Sequence, residues 1–228
     1  MTPSKRALIL WATILCGLYV LLALLVNARL LQQFDLQATL FLQSVLPRAL
    51  DLPFSILSLL GSVEITAAIF VVLVLLACPS VRVPLVLMFA LVALLELQGK
   101  TMIAQPGPPD ELSRYVFWFG TPTGGLSTPY SYPSGHAARA SFLIALAIAL
   151  ILPSRARRVA KKISIALLLA VAATMLISRV YIGDHWMSDV IGGALLGVGL
   201  CLFAFLTDSE HESRINSTRA ADDERPRP

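Results

Sequence analysis

Long uninterrupted runs of apolar residues dominate the pattern of this chain, and polar residues collect in the segments between them. The six runs cover residues 7–26, 63–78, 83–98, 136–152, 163–179 and 189–206. Each is close to the length at which a helix crosses the hydrocarbon core of a bilayer, where it satisfies its own backbone hydrogen bonds. The pattern therefore predicts an all-α, integral membrane bundle of six transmembrane helices.

The segment 30–61, between the first two spans, has a different pattern. From residue 31 to 45, apolar residues recur at helical spacing between glutamines and other polar residues. This is typical of an amphipathic helix that lies in the membrane interface, and we expect a shorter helix after Pro53. The Gly/Pro-rich segment 99–132 is predicted to be a long loop. Residues 1–207 would then form one membrane domain, and the charged residues 208–228 a disordered cytoplasmic tail.

Lysine and arginine residues in the short loops predict the orientation of the bundle. The loop between the fourth and fifth spans holds five of them: Arg155, Arg157, Arg158, Lys161 and Lys162. With six spans, this loop and both termini share one side, which the positive-inside tendency makes cytoplasmic. The loops at 99–132 and 179–189 then lie on the extracytoplasmic face of the cell membrane.

Composition agrees with a membrane protein and excludes other classes. Hydrophobic residues make up 57% of the 228 residues and charged residues only 14%, whereas about a quarter of a soluble domain is charged. The net charge of +4 arises from loop clusters without a basic, aromatic-interleaved stripe, so nucleic acid is not an expected partner. Cys16, Cys78 and Cys201 lie in or beside apolar runs and have no spacing typical of a metal or disulfide framework.

Ser134, Gly135 and His136 stand where the fourth span begins. A helix N-terminus has free backbone N–H groups and partial positive charge, so it attracts anions. Ser134 adds a hydroxyl donor, Gly135 allows close approach of a ligand to the backbone, and His136 adds a titratable group. The alternative is an ordinary helix cap beside an interfacial histidine.

A second constellation, Arg179-x5-His185-x3-Asp189, begins where the fifth span ends. His185 and Asp189 are four residues apart, which on a helix brings them to one face. A carboxylate there can accept the proton of one imidazole nitrogen and leave the other nitrogen free to attack. Arg179 offers a planar fork suited to phosphate oxygens. The alternative is an interfacial ion pair with a snorkelling arginine. The occurrence of this motif and the one at Ser134–His136 on the same predicted membrane face argues against it.

Lys100 and the runs 132–137 and 178–189 resemble the three signature motifs of the type-2 phosphatidic acid phosphatase superfamily, which includes the vanadium haloperoxidases. The likeness extends over residues 30–206, and the second and third motifs match at every defining position. The first motif departs from the family pattern of lysine, six residues, then Arg-Pro, because Lys100 leads to Gly107-Pro108. Arg114, the remaining basic residue before His136, is a candidate replacement; alternatively it anchors the loop at the lipid head groups.

The resemblance implies a role for each matching residue. His185 would attack phosphorus to form a phosphohistidine, Asp189 would orient it, and His136 would act as general acid and then general base. The phosphate oxygens would be held by groups that donate hydrogen bonds or carry positive charge: Lys100, Ser134, the backbone of Gly135, and Arg179. No metal or other cofactor is implied. Glu96, one turn before Lys100, is expected mainly to pair with that lysine.

The implied function is dephosphorylation of a membrane lipid, with the bilayer and the lipid phosphate as partners. Candidate substrates are phosphatidate, phosphatidylglycerol phosphate, and polyprenyl diphosphates such as undecaprenyl diphosphate. Two alternatives stay open at this point. One is a lipid-linked phosphotransferase, and the other is a non-catalytic membrane protein with a decayed site, which the glycine at position 107 would favour and the intact histidines oppose.

Overall fold

The computed structural model describes residues 3–116, 128–154 and 156–207, and all regular secondary structure in these ranges is helical. This confirms the predicted all-α membrane bundle. Three short 3-10 turns accompany the helices, at Arg48–Leu50, Asp110–Leu112 and Phe205–Thr207. The α-helices, in chain order, are α1 (Pro3–Asn27), α2 (Gln32–Val45), α3 (Asp51–Leu59), α4 (Val63–Leu76), α5 (Pro79–Met102), α6 (Gly135–Ile151), α7 (Arg158–Tyr181) and α8 (Met187–Ala204).

Four of the described helices, α1, α5, α7 and α8, are long and apolar enough to cross a membrane. The two other predicted spans correspond to shorter apolar helices, α4 with 14 residues and α6 with 17. At 1.5 Å per residue these are about 21 and 25 Å long, against a hydrocarbon core of about 30 Å. The structure therefore has a helix at each of the six predicted positions, and four of these helices are long enough to span the membrane.

Helices α6 and α8 form the centre of the bundle, with α1 and α5 packed on α8. Their close approach depends on glycines, because a side-chain carbon at Gly193 or Gly197 would overlap the α6 backbone at Ser134 or Ala138. Small residues of this kind let membrane helices pack tightly. The packing holds the beginning of α6 against the beginning of α8, so the second and third sequence motifs meet.

The amphipathic segment between α1 and α4 is present as two helices, with α2 and the segment 48–59 inclined by 100°. The side chains that α2 buries are polar, Asp35 and Thr39, whereas Phe34, Phe41 and Val45 are exposed. In lipid, apolar side chains lose nothing by facing outward, while polar ones need partners inside the protein. The polar face of α2 therefore turns toward the bundle and supplies groups to the site described below.

Several predicted boundaries differ from the structure; α7, for example, begins at Arg158 rather than at residue 163, so three cations of the predicted loop lie on the helix. Residues 79–82, predicted to be the turn between spans two and three, are the first turn of α5, since proline is favourable at a helix start. Lys100, predicted to open the long loop, lies instead in the last turn of α5, where its ion pair with Glu96 supports the helix. The predicted disordered tail and part of the predicted loop, residues 117–127, lie outside the described residues.

Candidate active site

A cavity of about 640 Å³ lies where α5 ends, α6 begins and the α7–α8 connection passes. Of the predicted site residues, Lys100, His136, Arg179 and His185 line it, and so does Gly107. Its other charged lining residues are Glu96, Arg139 and Asp184, while part of its wall is apolar and comes from α4 and α5: Val63, Ala67, Phe89, Ala93 and Leu97. The cavity therefore combines an ionic cluster with an apolar side.

The beginning of α6 has the geometry of a capped helix. Ser134 is fully buried, and its hydroxyl oxygen accepts a hydrogen bond of 3.4 Å from the backbone N–H of Ala137. Its own backbone N–H donates to the carbonyl of Asp189 at 3.0 Å. The described contacts of the Ser134 side chain are thus those of the N-cap alternative. Gly135 leaves room for a neighbouring side chain, since a side-chain carbon at this position would overlap the carboxylate of Glu96.

His185 and Asp189 are brought together at the beginning of α8. His185 precedes the helix instead of lying on it, and Nδ1 is 3.4 Å from Oδ2 of Asp189, a long separation at which Nδ1 makes no regular hydrogen bond. Such catalytic contacts are often long without substrate and tighten when it binds. The carboxylate itself is fully buried and accepts from the backbone N–H of Trp186 at 3.0 Å and from Gln105 Nε2 at 3.3 Å.

The surroundings of His185 favour its neutral form. Burial lowers the pKa of His185, and the positive charges of Arg179 and Lys100 lower it further, while Asp189 raises it. The burial effect prevails, so the pKa lies below its ordinary value of 6.5. At neutral pH the imidazole is therefore uncharged, and with Nδ1 directed to Asp189, the lone pair of Nε2 is available for attack.

Arg179, in the last turn of α7, is held by the connection that follows it. The guanidinium donates to the Ser58 hydroxyl through Nη1 and pairs with Asp184 through Nη2, while its buried Nε has no partner in the described part of the chain. Gly183, with a φ of +72°, lets the chain turn back, and a side chain there would overlap the carbonyl of Leu112. This turn places His185 beside the arginine.

The expected pair between Lys100 Nζ and Glu96 Oε1 is present at 2.9 Å. Glu96 also has a second cationic partner that the sequence motifs did not predict: Arg139 Nη1 lies 2.6 Å from Oε2. Arg139 follows His136 by three positions on α6, so both residues are on one helix face. An ionisable residue inside a predicted span is itself a functional signal, and it could have identified Arg139 from the sequence.

Arg114 is not in the cavity lining, so the structure does not bring it to the phosphate-binding candidates as the replacement hypothesis requires. Its guanidinium donates to the Tyr181 hydroxyl and to the Gln43 carbonyl, both at 2.9 Å, and lies 4.9 Å from the centre of the Tyr181 ring. These contacts anchor the loop to α2 and α7. Of the two predicted roles, anchoring of the loop thus describes the placement of Arg114 better than phosphate binding does. The groups that hold it belong to the protein and not to lipid head groups.

A buried polar network behind Asp189 was also missed by sequence reasoning. Asp35 of α2 accepts hydrogen bonds from the backbone N–H and the hydroxyl of Ser188, at 2.8 and 2.7 Å. Gln105 Nε2 lies between the two carboxylates, 3.3 Å from an oxygen of Asp35 and 3.3 Å from one of Asp189. The network ties α2 and the loop after α5 to the start of α8, and so fixes the carboxylate that faces His185.

Comparison with known proteins agrees with this architecture. A family model described as the PAP2 superfamily matches residues 82–212, more than half of the chain. No curated protein matches the sequence. Among solved structures, the transmembrane PAP2-type phosphatidylglycerolphosphate phosphatase from Bacillus subtilis is similar, with 20% identity, a TM-score of 0.64, and coverage of 95% of this chain and 98% of that one. LpxE of Aquifex aeolicus is similar at 22% identity and a TM-score of 0.57, with coverage of 75% and 94%.

Proposed function

The chain belongs to the PAP2 superfamily, and we propose that it is an integral membrane phosphatase that hydrolyses lipid phosphate monoesters or polyprenyl or other lipid diphosphates through a phosphohistidine. The observation that carries the proposal is the meeting of His185, His136 and three cationic side chains in one cavity, with a buried Asp189 behind His185. These groups supply a nucleophile, an acid–base group and positive charge for a phosphoryl transfer.

In the proposed first step, Nε2 of His185 attacks phosphorus while the bond to the leaving oxygen breaks. His136 donates its proton to that oxygen, and Asp189 stabilises the charge that develops on His185 by accepting from Nδ1–H. Water then attacks the phosphohistidine as His136 takes its proton, the phosphorus–nitrogen bond breaks, and inorganic phosphate leaves. Lys100 and Arg179 stabilise the charge on the equatorial oxygens in both steps.

A lipid substrate is supported by the apolar wall of the cavity and by the exposed apolar surface of the surrounding helices. A phosphate that enters among Lys100, Arg179 and the histidines would leave its lipid chains beside α4 and α5. The similar Bacillus subtilis protein is named a phosphatidylglycerolphosphate phosphatase, which makes that lipid a first choice among the substrates, beside phosphatidate and undecaprenyl diphosphate.

Release of inorganic phosphate tests the proposed function directly. Purified protein in detergent micelles would be incubated with phosphatidate, phosphatidylglycerol phosphate and undecaprenyl diphosphate, with the His185→Ala variant as the matched control. We expect release from at least one lipid, undiminished by EDTA, because no group of three His, Cys, Asp or Glu side chains in the described ranges is arranged to hold a metal ion. Phosphate appearing on an added alcohol instead of in solution would indicate a phosphotransferase, and no turnover on any lipid would favour a non-catalytic protein.

The proposed orientation, with both termini in the cytoplasm and the active site outside, is testable by cysteine labelling. In a variant that lacks Cys16, Cys78 and Cys201, a cysteine would replace either Glu111, exposed in the loop after α5, or Ser154, between α6 and α7. We expect a membrane-impermeant maleimide to label position 111 in intact cells and position 154 only after lysis. The reverse labelling would place the cavity on the cytoplasmic side.

Asp35→Asn is expected to lower kcat by about 10-fold to 100-fold with little change in KM, a loss typical of small displacements of a catalytic group. The amide keeps the size of the side chain but weakens the acceptor on which Ser188 and Gln105 converge. Thr39→Val, one turn later on the same buried face, is the control, since the Thr39 hydroxyl donates only within α2 in the described contacts. Equal effects of the two substitutions would mean that Asp35 does not position Asp189.

A further inference from the structure

We propose that Arg139 binds an equatorial oxygen of the substrate phosphate and takes the part of the arginine that this chain lacks at position 107. The inference rests on the proposed phosphatase function and deepens it, because it assigns a phosphate ligand outside the three sequence motifs. Arg139 lines the same cavity as Gly107, Lys100 and His185, although it comes from α6 rather than from the loop after α5.

The hydrogen bonds of Arg139 leave part of the guanidinium without an acceptor. Arg139 is only 7% exposed; Nη1 donates to Glu96 at 2.6 Å and Nη2 to the carbonyl of Gly61 at 3.3 Å. Its Nε is buried and has no hydrogen-bond partner among the described residues, and the same holds for Nε of Arg179. Buried donors in folded proteins are nearly always satisfied. Two arginines in one cavity whose Nε donors both lack an acceptor indicate a bound group rich in oxygen atoms, such as phosphate.

The charges in the cavity lining give a second argument. Among the described lining residues other than the histidines, Lys100, Arg139 and Arg179 are positive and Glu96 and Asp184 are negative, which gives a net charge of +1 (three minus two). Without Arg139 the sum is zero (two minus two). A phosphate dianion enters a desolvated site only where positive charge exceeds negative charge. Among these five side chains, Arg139 supplies that excess.

Glu96 keeps the two cations in place before substrate arrives. Its carboxylate accepts from both Lys100 and Arg139 and lies against Gly135, at the N-terminus of α6. This is where the free backbone N–H groups of the helix attract an anion. The carboxylate thus marks the position at which Lys100, Arg139 and the helix end can share one anionic group, and phosphate would bind beside it.

Gly107 has room for the arginine that relatives carry in the first motif. Among the described residues, a side-chain carbon there would meet only the Ser131 side chain, at 3.9 Å, which is ordinary contact, and the backbone of Gly107 is not in the left-handed region. A long side chain at position 107 would start from the cavity wall, since Gly107 lines it. Restoring the arginine is therefore sterically permitted and can serve as a rescue.

The competing explanation is that Arg139 only neutralises the buried carboxylate of Glu96 and ties α6 to Gly61. An unpaired buried charge destabilises a protein, so loss of Arg139 could reduce activity without any contact to substrate. Removing both charges together separates the explanations when the double variant is compared with Glu96→Gln alone, which also takes away the partner of Lys100. Glu96→Gln/Arg139→Ala contains no unpaired carboxylate, so a purely structural role predicts the activity of Glu96→Gln, and a phosphate-binding role predicts a further loss.

The experiment compares six variants with the unchanged protein: Arg139→Ala, Arg139→Lys, Glu96→Gln, Glu96→Gln/Arg139→Ala, Gly107→Arg/Arg139→Ala and Arg114→Ala. Two readouts are used: phosphate release from the lipid that the unchanged protein turns over fastest, and the rise in unfolding temperature on addition of orthovanadate, a phosphate analogue. The second readout requires no turnover. Arg82→Ala is the control, since Arg82 lies at the other end of α5 and donates to carbonyls of Leu75 and Ala77.

We expect Arg139→Ala to lower kcat by about 100-fold to 1,000-fold, as loss of a transition-state donor does, and to weaken vanadate binding by at least about 10-fold. Arg139→Lys should retain part of both. Glu96→Gln/Arg139→Ala should be less active than Glu96→Gln, and Gly107→Arg/Arg139→Ala should recover part of the activity. Arg82→Ala should match the unchanged protein.

Several outcomes would overturn the inference while the phosphatase proposal stands. These are an active, vanadate-stabilised protein whose Arg139→Ala variant behaves normally, or a Glu96→Gln/Arg139→Ala variant that is as active as Glu96→Gln. Loss of vanadate binding in Arg114→Ala but not in Arg139→Ala would assign the role to the loop arginine instead. If Arg139→Ala does not fold, Arg139→Lys and the double variant lacking both charges decide between the explanations. If the unchanged protein neither releases phosphate nor responds to vanadate, the proposed function itself fails.

Discussion

Replacement of His185 by alanine is expected to abolish turnover, with a loss of roughly 100,000-fold or more, as for removal of other covalent nucleophiles. The reason is that no other side chain would take over the bond to phosphorus. Asp189→Asn should cost somewhat less, roughly 10,000-fold, because the amide keeps the shape of the carboxylate but favours the wrong imidazole tautomer. Phosphate release from the preferred lipid, measured at saturating and at low substrate, gives kcat and kcat/KM for both variants.

Trapping of the intermediate distinguishes a lost nucleophile from a damaged fold. Protein quenched during turnover of a phosphorus-labelled substrate should carry acid-labile label, whereas His185→Ala should carry none. Orthovanadate should still raise the unfolding temperature of His185→Ala, because Lys100, Arg139 and Arg179 remain in the cavity. Near-normal activity in His185→Ala would contradict the mechanism, and label retained in that variant would assign the nucleophile to another residue.

The features that the sequence predicts well depend on short distances along the chain. The N-cap at Ser134 and the proximity of His185 to Asp189 involve residues only a few positions apart, although His185 precedes α8 instead of sharing a helix face with Asp189. Helix positions follow from apolar runs for the same reason. Boundaries are less certain, since α5 continues through Lys100, where an ion pair and the favourable position of a cation near a helix C-terminus outweigh the loop-like composition that follows.

The contacts that the sequence does not predict join distant segments. Asp35 meets Ser188 across 153 residues, and Gln105 meets Asp189 across 84. No local spacing in the sequence predicts such pairs. They form because polar side chains of a membrane protein turn toward its interior, since the surrounding lipid offers them no hydrogen-bond partners. The same principle explains the inverted burial of α2 and the partnership of Arg139 with Glu96. It also explains why Arg114, which has polar partners on α2 and α7, stays out of the cavity.

His136→Ala is expected to show a loss that depends on the leaving group. A lipid phosphate monoester expels a basic alkoxide that must be protonated as the bond breaks, whereas an aryl phosphate or a diphosphate expels a more stable anion. Loss of a general acid commonly lowers the reaction rate by roughly 100-fold to 10,000-fold. That full loss should appear in kcat/KM for the lipid monoester, and kcat/KM for p-nitrophenyl phosphate should fall far less, because it reports only the steps up to the phosphohistidine.

The second half of the reaction gives this prediction its internal control. His136 is also the proposed base that activates water, so its loss should slow dephosphorylation for every substrate alike. With the aryl phosphate, His136→Ala should therefore release one rapid equivalent of nitrophenol, accumulate acid-labile phosphate on His185, and turn over slowly afterwards. His185→Ala should give no burst. Equal losses of kcat/KM on monoester and aryl substrates would remove the support for His136 as the acid, and a burst without accumulated phosphohistidine would mean that another group activates the water.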